Sequence, residues 1–133
     1  MQQLKNVLEL MKIGEKLKME LRHSWLSNGR RESVAEHTWS TSLLAMAIAP
    51  YLPQKVNMEK LLKMVIIHDL VEAYARDIPA FYTMDDEAMR ALKLQNETEA
   101  IEKVRDLLGD ENGQQFYDLW FEFENKETYE GKV

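Results

Sequence analysis

The residues best suited to chemistry stand in one apolar segment, MEKLLKMVIIHDLVEAYA, where His68, Asp69 and Glu72 interrupt a run of aliphatic side chains. At about 100° per residue these three share one side of a helix, and Lys60 and Lys63 fall on the far side. Ile67, Leu70 and Tyr74 continue the lysine side in the second half, so the spacing predicts a helix that enters the core and takes an imidazole and two carboxylates with it. An unpaired buried carboxylate costs several kcal/mol or takes up a proton, and a divalent metal ion would supply the compensating charge. A buried ion pair or a hydrogen-bonded polar cluster is the other reading of the same residues.

His37 is the second candidate ligand. Ser33 and Glu36 form an S-x-x-E capping box ahead of an apolar run, which predicts a helix from Val34 to about Ala49, ended with the help of Pro50 and Pro53. His37 then lies in the first turn, where the positive end of the helix dipole favours the neutral ring that a metal ligand must be. The small residues Ser40, Thr41 and Ser42 would let a neighbouring helix approach until His37 reaches His68. Taken alone, a histidine here serves equally well in capping or packing.

The elements that must position these groups are helical. Leu4, Val7, Leu8, Met11 and Gly14 make an apolar stripe on a first helix that fades near Leu21. RHSWLSNGRRE, from Arg22 to Glu32, has no period and contains an Asn-Gly pair, so it reads as a loop. The His68 helix is predicted from about Met58 to Ala75, because Ile78 precedes Pro79 and prefers an extended backbone. A fourth helix spans Asp85 to Leu108 with Gly109 as its stop, and Phe116, Leu119, Trp120 and Phe123 mark a fifth at core-facing spacing. Nothing alternates with a period of two over a useful length. The expected architecture is all-α, a compact bundle of about five helices forming a single domain over residues 1–133.

Composition narrows the function. The 133 residues carry 23 acids against 17 bases, a net charge of −6, which argues against general binding to nucleic-acid polymers. With no cysteine, any metal must be held by nitrogen and oxygen donors. The longest apolar stretch, Leu43 to Leu52, is about half of what a bilayer crossing needs, and no signal-peptide pattern opens the chain, so a soluble, cytoplasmic protein without membrane association is expected. Trp25 and Trp39 are candidates for a homodimer contact, whereas Trp120 reads as core.

The run RRESVAEHTW followed later by HDLVEAYARDIP resembles the HD-domain hydrolases, in particular the branch similar to bacterial 5′-deoxynucleotidases, from about Leu17 to the end of the chain. That resemblance implies an all-helical fold and one divalent metal ion held by His37, His68 and Asp69. It also implies catalytic acidic residues at Glu72 and Asp77 and a phosphate contact from Arg22. Glu36 and Arg30 match family positions too, but the capping box already accounts for Glu36, which is given no catalytic role. The sequence departs from the family in two places. The usual glycine before the late-loop acid is Arg76, which adds a cation near the site. The family's fourth ligand, an aspartate beyond the Leu-Trp-x-Glu helix, would fall after LWFEFENKETYEGKV, so the chain is expected to be C-terminally incomplete, to lack its last helix or helices, and to be deficient in metal binding.

A nitrogen and oxygen donor set admits Mn²⁺, Co²⁺, Fe²⁺, Zn²⁺ or Mg²⁺. The leading expectation is hydrolysis of deoxynucleoside 5′-monophosphates, with a small-molecule nucleotide as the partner. Glu72 would orient or deprotonate the attacking water, Asp77 would protonate the leaving 5′-oxygen, and Arg22 would neutralise phosphoryl oxygens with its planar fork. A phosphodiesterase for a cyclic or signalling nucleotide, and a non-catalytic nucleotide- or metal-binding regulatory module, are the alternatives.

Overall fold

A computed structural model describes residues 1–75 and 87–133 of the chain. The described elements are α1 (Gln2–Met19), β1 (Leu21–Trp25), β2 (Arg31–Ser33), α2 (Val34–Ile48), α3 (Met58–His68), α4 (Glu72–Ala75), α5 (Glu87–Leu108), α6 (Asp110–Glu124) and α7 (Tyr129–Lys132). Short 3₁₀ turns at Ala49–Tyr51 and Asp69–Val71 follow α2 and α3. The helical expectation holds, with two corrections.

The first correction is the segment read as a loop, which is a two-stranded antiparallel hairpin. Leu21 pairs with Ser33 and Trp25 with Arg31, with an irregularity between them. Leu26 donates its N–H to the Arg30 carbonyl at 2.7 Å, and Gly29 closes the turn at φ +87°, a backbone angle that favours glycine. Mixed polarity hid the strands because both are short and only half covered. The second correction is that the His68 helix is not continuous to Ala75: α3 ends at His68, the chain tightens into the 3₁₀ turn over Asp69–Val71, and α4 resumes at Glu72.

The core lies between α3, α5 and α6. Met64, Ile67 and Val71 meet Ala100, Ile101 and Val104 of α5 and Leu119 and Trp120 of α6, with Trp120 fully enclosed. Gly113 permits α6 to lie this close to α5, since a Cβ there would overlap the carbonyl oxygen of Arg105. Gly109, at φ +69°, both stops α5 and starts α6, donating its N–H to the Arg105 carbonyl at 2.8 Å. On α3, Lys60 reaches across to Glu122 at 3.1 Å and Lys63 to Gln115 at 2.7 Å, so the lysine side faces α6.

Two faces differ from expectation. The stripe read on α1 is exposed at Leu4, Leu8 and Met11, and it is Leu10 and Leu17 that pack against the core. On α2, Trp39, Leu43, Leu44 and Met46 are exposed. Trp25 is exposed as well, and Trp120 is core as expected.

Candidate metal and phosphate site

The capping box forms as its residues require. Ser33 Oγ accepts from the Glu36 N–H at 3.1 Å, and Glu36 Oε1 accepts from the Ser33 N–H at 2.8 Å. Arg30 clamps the same carboxylate through two N–H groups, at 3.2 and 2.6 Å. The Arg30 hydrogen bond and those from Ser33 hold the Glu36 carboxyl down at about 2. Glu36 thereby fixes the start of α2.

With that start fixed, His37 projects toward the end of α3. Its Nε2 stands 3.8 Å from Asp69 Oδ2, and its Nδ1 stands 3.7 Å from Glu32 Oε1. Thr38, one residue on, donates its hydroxyl to the Val34 carbonyl at 3.0 Å and also lies 3.3 Å from Asp69 Oδ2. His68 has its Nδ1 3.3 Å from Asp69 Oδ1 and its Nε2 3.6 Å from Glu124 Oε2, with the Phe123 ring tilted against it at 4.2 Å between centroids. The two histidines therefore approach Asp69 from α2 and from α3, His37 facing Asp69 and His68 turned toward Asp69 Oδ1 and Glu124.

These groups open onto one pocket of about 480 Å³, lined among others by Arg22, His37, His68, Asp69, Glu72 and Glu124. Glu72 is buried, while His68 and Asp69 retain 30% and 19% side-chain exposure, so the imidazole and the aspartate line the pocket wall and do not sink into the core. Asp77 and Arg76 lie outside the described residues. Five of the six expected site residues thus share a cavity; sequence reasoning overlooked Glu32, Lys93, Glu97 and Glu124. The signal for Glu124 was available in part: it follows Phe123, whose stripe position places it at the edge of the core-facing side.

The electrostatics are those of a cation-seeking pocket. Burial pulls the His68 imidazolium toward lower pKa, but hydrogen bonds and charge from Asp69 and Glu124 outweigh it and push the group up to about 9. Burial raises the Asp69 carboxyl, and the His68 hydrogen bond and charge, with His37 and Thr38, turn the balance and hold it below the usual range. Glu124 is lowered chiefly by its hydrogen bond to His68. A proton on His68 thus neutralises carboxylates where a metal ion could do so instead.

The donors suit a divalent ion in kind, being imidazole nitrogens and carboxylate oxygens only. The 3.8 Å between His37 Nε2 and Asp69 Oδ2 is close to the span of two ligands on one cation, each about 2.0–2.2 Å from it. Among the described residues no three His, Asp or Glu side chains converge closely enough to hold a metal as they stand. His68, turned toward Asp69 Oδ1 and Glu124, is the ring that would have to rotate to share an ion with His37.

Comparison with known proteins identifies the family. The HD domain family matches residues 14–133, and the chain belongs to that family. Among similar proteins is the 5′-deoxynucleotidase HDDC2 of Danio rerio, 32% identical over 131 residues, covering 96% of this chain and 62% of the relative. Its counterpart in Dictyostelium discoideum is 31% identical, covering 94% of this chain and 67% of the relative. A solved structure from Magnetospirillum magnetotacticum MS-1, described as a predicted metal-dependent phosphohydrolase, superposes with a TM-score of 0.84 at 30% identity, over 98% of this chain and 65% of that one. The chain therefore spans a little under two thirds of the length of such relatives as the Danio rerio protein. Among the described residues no helix is long and apolar enough to cross a membrane.

Proposed function

We propose that residues 1–133 form a single HD-type domain of a metal-dependent phosphohydrolase that converts deoxynucleoside 5′-monophosphates to nucleoside and phosphate. The observation that carries this reading is the gathering of His37, His68, Asp69, Glu72 and Arg22 around one pocket from α2, α3, the 3₁₀ turn after it, α4 and β1. The substrate class is supported by the relatives named 5′-deoxynucleotidase. A partner of that kind is a small nucleotide, and the acidic balance of the chain disfavours a nucleic-acid polymer.

His37, His68 and Asp69 would hold one divalent ion, whose Lewis acidity would polarise a phosphoryl oxygen and acidify water. The chain's own groups do the rest. Arg22, with one N–H group committed to Glu32 at 2.9 Å, presents its remaining N–H groups to the phosphate and neutralises its charge. Glu72, buried at the pocket wall, orients the attacking water and accepts its proton. As the new bond from the water oxygen to phosphorus forms, the bond from phosphorus to the 5′-oxygen breaks, and Asp77 delivers a proton to that leaving oxygen. Phe123 flanks His68.

The test is a phosphate-release screen of ribo- and deoxynucleoside monophosphates against added Mn²⁺, Co²⁺, Fe²⁺, Zn²⁺ and Mg²⁺. Release that requires one of these ions and stops on chelation supports the reading. Metal binding without release from any monophosphate would point to a binding module.

A further inference from the structure

The geometry points to Glu32 as a positioning residue that couples the phosphate-gripping arginine to the first metal-ligating histidine. The inference rests on the proposed metal site and adds a residue that neither the motif nor the family resemblance singled out.

The hairpin creates the coupling. Arg22 of β1 and Glu32 of β2 adjoin the paired Leu21 and Ser33, and their side chains meet across the hairpin. Glu32 Oε1 accepts from Arg22 Nη1 at 2.9 Å, and this same oxygen stands 3.7 Å from His37 Nδ1. The first contact is a charge-assisted hydrogen bond; the second is an electrostatic approach, too long for a hydrogen bond. The Glu32 side chain is 15% exposed, so both interactions act where salt screens them little.

The consequence for His37 follows from its two nitrogens. Each ring nitrogen faces a carboxylate, Nδ1 facing Glu32 at 3.7 Å and Nε2 facing Asp69 Oδ2 at 3.8 Å, so with a cation held on the Asp69 side Glu32 keeps the proton on Nδ1 and frees the Nε2 lone pair for that cation. For Arg22, the anchored Nη1 fixes the plane of the guanidinium, so its remaining N–H groups meet a phosphate without first being ordered. A carboxylate that served only to hold the hairpin would matter for stability and for neither affinity.

The test compares the full chain with its Glu32→Gln and Glu32→Asp variants. Calorimetry measures Mn²⁺ affinity without substrate, then the affinity for inorganic phosphate at saturating Mn²⁺. Long-range ¹H–¹⁵N correlation spectra of the Zn²⁺-loaded parent report the His37 tautomer. Glu32→Gln should weaken Mn²⁺ binding by about tenfold and should also weaken phosphate binding, while Glu32→Asp recovers part of both. Affinities unchanged within experimental scatter, even with a lowered Tm, would overturn the coupling. A Zn²⁺-loaded parent in which His37 carries its proton mainly on Nε2 overturns it whatever the variants do. A parent that binds no Mn²⁺ overturns the site reading itself, an outcome distinct from a parent and a Gln variant that bind equally well.

Discussion

Replacing Arg22 with lysine tests whether the guanidinium fork grips the phosphate. In the structure Nη1 is committed to Glu32 at 2.9 Å, and the head group lies at the edge of the pocket that His37 and Asp69 share. A lysine ammonium would be drawn to the same carboxylate. It would keep the positive charge and lose at least one of the directed N–H groups that face the phosphate. One charge-assisted hydrogen bond contributes about 1.5–3 kcal/mol, so kcat/KM for phosphate release should fall by roughly 10- to 150-fold. Mn²⁺ affinity should hold, because Arg22 is not a ligand and Glu32 retains a cationic partner. The assay is steady-state phosphate release from a deoxynucleoside 5′-monophosphate, with metal affinity measured on the same preparations. Equal kcat/KM for variant and parent would refute the role of Arg22, as would a loss of metal affinity that accounts for the whole effect.

Two further predictions concern the scaffold. Gly113→Ala should lower unfolding free energy by about 1–3 kcal/mol, because the new methyl group collides with the rigid Arg105 backbone and must push α6 from α5; denaturant melts that match the parent would contradict the close approach. The Glu36 carboxyl, held at about 2 against an ordinary 4.5, stabilises the fold fully above about pH 4.5, and that contribution is lost as pH falls through about 2. The stability gap between parent and Glu36→Gln should therefore stay constant from neutral pH down to about 5 and shrink below 4.5, and a gap unchanged at pH 3 would contradict it.

The sequence revealed the long helices and the site to different depths. The capping box at Ser33 and Glu36, the Gly109 stop and the Phe116–Phe123 stripe were readable because each is a local pattern with one structural outcome. The hairpin was not, because five- and three-residue strands covered on one side leave too little alternation to detect, and Arg22 and Glu32 become neighbours only once the strands pair. The break after His68 was likewise hidden: His68-Asp69-Leu70-Val71 contains no Gly or Pro, and the 3₁₀ turn arises from packing. The apolar spacing of α1 pointed to the wrong face, since the long helix has several apolar stripes and the choice between them is made by α5 and α4, which pack on it. Among the residues of the pocket, His37, His68 and Asp69 could be proposed as ligands from residue type and spacing. Glu124 could not be joined to them without knowing how α6 crosses α3.

The central claim is that His37, His68 and Asp69 hold one divalent ion, and the most direct measurement is a calorimetric titration of Mn²⁺ into the metal-free protein and into its Asp69→Ala variant, with circular dichroism on both. Asp69 is the carboxylate that both histidines approach, at 3.8 and 3.3 Å, so its removal takes away an anionic ligand and the group that orients the other two. The account predicts one site in the parent, no comparable site in the variant, and the same helical spectrum for each. A variant that binds Mn²⁺ with the parent's stoichiometry and affinity would contradict it.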